Sequence, residues 1–142
     1  MQNADSLRLL VIDGQGGGIG RQLVEAVRAA GLPCQITCVG ANTAATAAML
    51  KAGAHQGATG ENAVVVCARD ADVIAGPVGI AIADSLLGEI TPNMALAVGQ
   101  SRAKKLLLPV NHCNNMIVGV ENLNLRALTE EAVRMLESLT RA

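Results

Sequence analysis

Leu7-Arg8-Leu9-Leu10-Val11-Ile12-Asp13-Gly14-Gln15-Gly16-Gly17-Gly18-Ile19-Gly20 is the stretch that decides the fold. Its first half is a continuous apolar run closed by Asp13-Gly14, the pattern of a strand buried on both faces of a parallel sheet. Beyond it, Ile19, Leu23, Val27 and Ala30 recur at helical spacing, and Gly31 followed by Pro33 stops that helix. A strand that opens through glycines into a helix gathers backbone N–H groups and the positive end of a helix dipole at one point, which suits an anion. Glycine is needed there because a Cβ would keep a phosphate from the backbone, and because some positions require positive φ. Asp13, Gly14, Gln15, Gly16, Gly17, Gly18, Ile19 and Gly20 therefore form the expected phosphate-binding loop.

Working outward, residues 34–39 read as the second strand, which completes a βαβ unit with a right-handed crossover. Asn42-Thr43 caps an alanine-rich helix over 44–51 that ends at Gly53. That much alanine implies close packing, against the sheet or against a second copy in a homodimer. Residues 55–62 are polar and read as a loop. Residues 63–67 are continuous and β-branched and read as a strand, with a helix as the alternative. A short strand follows at 72–75, then a helix or helical turn at 80–87. Thr91-Pro92 is a strong helix start, and that helix runs to about residue 102. Strands are expected at 105–108 and 116–120, and Thr129 caps a final amphipathic helix. Alternation at this spacing gives an α/β fold. We expect a Rossmann-like, doubly wound, mostly parallel sheet in three αβα layers, forming a single domain over 1–142.

The chain has 142 residues, 51% hydrophobic, with a net charge of -1, so one core is expected. It has no basic face or tail of the kind that binds nucleic acid. The cluster Arg102-Ala103-Lys104-Lys105 reads as a solvated helix end. There is no Phe, Tyr or Trp. Bases therefore have no aromatic platform to stack on, and any mechanism needing a Tyr acid or base is excluded. The N-terminus does not read as a signal peptide, and no apolar run reaches the length of a membrane span. Cys34, Cys38, Cys67 and Cys113 form no CxxC pair, and three of them sit in apolar runs. We expect a cytoplasmic protein without a disulfide framework.

The glycine spacing is not GxGxxG, because the third place holds Ile19. Gly14, Gly18 and Gly20 fit GxxxGxG instead, which resembles the TGxxxGIG loop of the short-chain dehydrogenases with Asp13 in place of the Thr. This resemblance covers about the first 30 residues. Those enzymes also carry a catalytic Tyr-x-x-x-Lys that this chain lacks, so their reduction chemistry does not transfer. A dinucleotide site also calls for an acid at the end of the second strand, to hold the ribose hydroxyls. Gly40-Ala41-Asn42-Thr43 stands there instead, which counts against NAD. Asn42 and Thr43 could donate to the 2′-phosphate of NADP, or the ligand could be another nucleotide. Both residues could equally serve only to cap the second helix.

Three further residues are candidates for chemistry. Asn111-His112-Cys113-Asn114-Asn115 is a dense polar patch at the expected carboxyl edge of the sheet, where ligands of doubly wound folds sit. His112 could act as an acid or base and Cys113 as a nucleophile, or the patch could be an exposed turn. Glu61, in Thr59-Gly60-Glu61-Asn62, could be a general base or a ribose ligand, or could cap a helix. Glu89 has the same ambiguity, and its place before a helix start favours a structural role. His112, Cys113, His55 and Cys67 lack metal-ligand spacing, so no metal is expected.

The runs at 11–20, 48–54, 58–63 and 88–92, quoted in one-letter form VIDGQGGGIG, AMLKAGA, ATGENA and GEITP, are together similar to an uncharacterised bacterial family of small proteins, a domain of unknown function. The resemblance spans nearly the whole chain and implies a cytoplasmic Rossmann-like protein with no established catalytic residues. Three functions follow from the sequence: a nucleotide-binding protein, NADP-linked if it is an oxidoreductase; a non-enzymatic ligand sensor or regulatory subunit; or a small enzyme acting on a phosphorylated metabolite.

Overall fold

The computed structural model describes residues 6–110, 114–120 and 124–140. Strand β1 (Leu7–Asp13) leads into helix α1 (Gly18–Ala29). Strand β2 (Cys34–Gly40), helix α2 (Thr43–Ala52) and strand β3 (Gln56–Thr59) follow. Helix α3 (Glu61–Cys67) then crosses to strand β4 (Val73–Pro77), which runs into a 3-10 turn at Val78–Ala81. Helix α4 (Pro92–Gln100), strand β5 (Lys104–Leu108) and helix α5 (Leu125–Thr140) complete the order.

The five strands form one sheet in the order β3-β2-β1-β4-β5, and every pairing is parallel. This is a Rossmann-like α/β domain, because strand order reverses beside β1, the first strand in the chain. The pleat of β1 explains the three layers. Leu9 and Val11 join one core with Leu23, Val24 and Val27 of α1, Met49 of α2, and Ala132 and Leu136 of α5. Leu10 and Ile12 point the other way, into a second core with Val64 of α3 and Met94 and Val98 of α4. A strand buried on both sides must be apolar throughout, which is why β1 reads as a continuous run.

The termini of the helices follow their sequence signals. Gly31 closes α1 with a φ of 66°. Asn42 caps α2 by accepting from the Ala45 N–H at 2.9 Å, and Thr91 caps α4 by accepting from the Met94 N–H at 3.2 Å. Part of the alanine content of α2 is also explained, since Ala45 is fully buried where α2 meets the glycine loop.

Several expectations are corrected. Residues 56–59 are a strand rather than loop, and an edge strand with all four residues exposed carries no hydrophobic signal. Residues 61–67 form a helix, the alternative reading, because this segment must carry the chain from edge strand β3 across the sheet to β4. Residues 80–87 are not a regular helix: after the 3-10 turn they are a chain of turns. Residues 116–120 form no strand, and Met116 and Val118 are almost fully exposed. The last helix begins at Leu125, capped by Asn124, whose side chain accepts from the Ala127 N–H at 2.8 Å. Thr129 lies inside it, and its hydroxyl bonds back to the Leu125 carbonyl.

Candidate functional site

The glycine loop lies at the carboxyl edge of the sheet, where β1 ends and neighbouring strands run in opposite order. In register, Asp13 at the end of β1 stands beside Gly40 at the end of β2. The loop is organised around the Asp13 carboxylate, which is 3% exposed. Its Oδ1 accepts from the Gly14 N–H at 2.8 Å, and its Oδ2 accepts from the Gly20 N–H at 2.7 Å. One side chain thereby closes the loop at both ends and supplies an acceptor to the first turn of α1.

Two of the glycines are required by this packing. Gly17 has a φ of 74°, and a Cβ there would stand 2.8 Å from the Ala45 backbone. Gly20 would place a Cβ 2.5 Å from the Met49 sulfur. Gly16 and Gly18 differ. Both are exposed, neither has positive φ, and nothing lies within 4 Å of a Cβ built on either. Their N–H groups bond to no described residue. Over the loop opens a cleft of ≈ 160 Å³, lined by the loop itself and by Gln22, Leu86 and Leu125.

Glu89 arrives from the turns before α4 and meets Gln15 of the loop and Asn42, beside the cleft rather than lining it. Its Oε1 accepts from the Gln15 N–H at 2.5 Å, and its Oε2 accepts from the Asn42 side-chain amide at 2.6 Å. The same amide nitrogen also donates to the Gln15 carbonyl at 2.8 Å. Asn42 therefore uses both amide hydrogens and its carbonyl within the protein. The acid that the end of β2 lacks in sequence is thus delivered there in space by Glu89. The sequence marked Glu89 as ambiguous and favoured a structural role; its pairing with Asn42 could not be read, because a separation of 47 positions leaves no local signal.

Burial raises the Asp13 carboxyl above its ordinary value of 3.8; the Gly20, Gly14 and Ile19 N–H groups oppose that shift, and the Glu89 charge adds to it. The raised value means that the folded protein holds this proton to higher pH than the unfolded chain does. The Asp13 contribution to stability is then full below about pH 3.8 and declines as pH rises through its own titration. Chemical denaturation of wild type and Asp13→Asn across pH 3.5 to 8 checks the sign. The advantage of wild type should shrink toward neutral pH, and a growing advantage would contradict it.

A family model matches residues 8–141. The chain belongs to the family described as a domain of unknown function, DUF3842. Solved structures that match include a nucleoside-diphosphate-sugar epimerase from Pseudomonas aeruginosa, at 14% identity and a TM-score of 0.49, covering 94% of this chain and 48% of that one. The chain therefore spans about half the length of that protein. No curated protein matches it.

In this DUF3842 chain the remaining candidates separate. Thr43 starts α2 next to Asn42 and is exposed. Glu61 opens α3 and accepts from the Thr91 hydroxyl at 2.5 Å. It faces a different, larger cleft of ≈ 640 Å³ between α3 and α4, not the glycine loop. His112 and Cys113 lie outside the described residues. His55 is held structurally, its Nδ1 accepting from the Ile36 N–H at 2.9 Å. Burial pushes the thiols of Cys34, Cys38 and Cys67 up, away from the reactive thiolate. Among the described residues no group of three or more His, Cys, Asp or Glu could hold a metal ion, and no helix is long and apolar enough to cross a membrane.

Proposed function

We propose that the chain binds a nucleotide, or another phosphate-bearing ligand, with its phosphate against the N–H groups of Gly16 and Gly18. The supporting observation is that these two residues have no internal reason to be glycine. Positive φ or close contact accounts for Gly17 and Gly20, whereas Gly16 and Gly18 face open space with N–H groups that no described residue accepts. A bare backbone at the head of α1 is what an approaching phosphate requires.

The cleft above the loop has room for a phosphate or pyrophosphate but is smaller than the roughly 300 Å³ of a typical ligand pocket. The rest of a nucleotide would extend along the carboxyl edge toward Asn42 and Thr43. For NADP these two would receive the 2′-phosphate, and Asn42 would have to exchange Glu89 for the ligand.

A thermal-shift panel of inorganic pyrophosphate, ADP, ATP, GTP, NAD, NADP and sugar phosphates tests the reading. An external dye or calorimetry is needed, because the chain has no aromatic residue. A ligand at about 100 times its Kd adds roughly 2.7 kcal/mol, a rise of several degrees for a domain of this size. No rise with any phosphate compound would overturn it. A non-enzymatic sensor is favoured over an enzyme by one observation. Asp13 is the sole titratable side chain among the described residues lining the loop cleft, and its carboxylate is already occupied beneath the loop. Recovery of the bound nucleotide unchanged after long incubation is the expected result, and turnover would restore the enzymatic reading.

A further inference from the structure

We propose that Glu89 is an internal latch, a carboxylate that occupies the mouth of the glycine loop and must leave before a phosphate-bearing ligand enters. This rests on the loop being the phosphate site, as argued above. Glu89 already behaves as an anion bound to the loop. It accepts from a loop N–H at Gln15 and from the Asn42 amide, and its Oε1 lies 2.9 Å from where a Cβ on Gly14 would stand. A phosphate brought to the neighbouring N–H groups of Gly16 and Gly18 would meet that charge at close range, with the Asp13 carboxylate beneath. Like charges at such distances repel strongly where water is partly excluded.

The segment that carries Glu89 is a run of turns rather than regular structure. Asp84, Leu86 and Leu87 hold φ values of 65°, 55° and 56°, and Gly88 follows at 88°. Among described residues the only other non-glycine with positive φ is Gln15, the loop residue that Glu89 holds. Left-handed backbone thus leads up to Glu89 on one side of the contact and includes Gln15 on the other, and strained backbone of this kind clusters at ligand clamps and switch regions. The tip is held by turn hydrogen bonds from the Gly88 and Glu89 N–H groups to carbonyls of residues 84–86, but its Leu87 side chain is 97% exposed and packs on nothing, while Leu86 and Ile90 on either side stay in the core. Those two buried anchors confine the motion to residues 87–89.

Isothermal titration of inorganic pyrophosphate and of ADP into the wild-type chain, Glu89→Ala and Glu89→Gln tests the latch. Glu89→Ala is expected to bind pyrophosphate about 10-fold more tightly than wild type, with Glu89→Gln intermediate because it keeps an acceptor without the charge. The Gln15 amide proton should shift upfield in Glu89→Ala as its hydrogen bond is lost. If Glu89→Ala fails to fold, Glu89→Gln alone carries the test. Equal or weaker pyrophosphate binding by the variants, with wild type binding, overturns the latch and leaves the loop reading intact. Weaker binding of ADP alone would make Glu89 a ribose ligand and would also overturn the latch. Absence of binding by all three proteins overturns both readings together.

Discussion

Gly18→Leu is expected to fold as wild type does and to lose about 100-fold in affinity for any nucleotide that the thermal-shift panel identifies, some 2.7 kcal/mol. Gly18 begins α1, has ordinary helical φ, and meets nothing within 4 Å of a built Cβ, so leucine introduces no clash. Leucine is also a better helix former than glycine, by up to about 1 kcal/mol. The melting temperature should therefore hold or rise slightly. The same side chain fills the space through which a phosphate must pass to come within about 3 Å of the backbone N–H. Calorimetric binding and melting of the one variant decide the matter. Affinity retained by a folded Gly18→Leu protein would move the ligand away from the loop.

Asp13→Ala should act the opposite way, with a large loss of stability. The substitution leaves the N–H groups of Gly14 and Gly20 buried without an acceptor. Each such group costs about 1–3 kcal/mol, so a loss on the order of 3 kcal/mol is expected, roughly 10 °C in a domain of this size. Thermal melting monitored by calorimetry gives the answer, and a loss below about 1 kcal/mol would mean that water or a shifted backbone replaces the carboxylate. Together the two variants separate what the loop needs for its own shape from what it leaves open.

The legible parts of the fold were those whose signal is local. The apolar run of β1, the helical spacing after Ile19, the Asn42 and Thr91 caps and the stop at Gly31 each rest on residues within a few positions of one another. Misread segments were governed from elsewhere in the chain. Nothing in Gln56-Gly57-Ala58-Thr59 announces a strand, because an edge strand exposed throughout needs only the main chain of β2 beside it. Val64-Val65-Val66 favours a strand by side-chain type, yet only Val64 is buried, and the path from β3 to β4 dictates a helix. At the site, the glycine loop was readable and Glu89 was marked as ambiguous, but its place against the loop was not readable, since a contact across 74 positions to Gln15 exists only once the sheet has formed. Sequence alone also could not divide the glycines into those the packing requires and those it does not.

The order β3-β2-β1-β4-β5 has a consequence for synthesis. Of these five strands, the first to leave the ribosome is the innermost of the finished sheet, flanked by β2 on one edge and β4 on the other. Its partner β2 follows after one helix, but β4 does not begin until Val73. Until then the Leu9-to-Val11 edge of β1 presents unpaired main-chain groups on an apolar strand, the kind of surface that recruits other chains. A released fragment ending between residues 60 and 72 carries β1 and β2 without β4, and is expected to aggregate more readily than the whole chain.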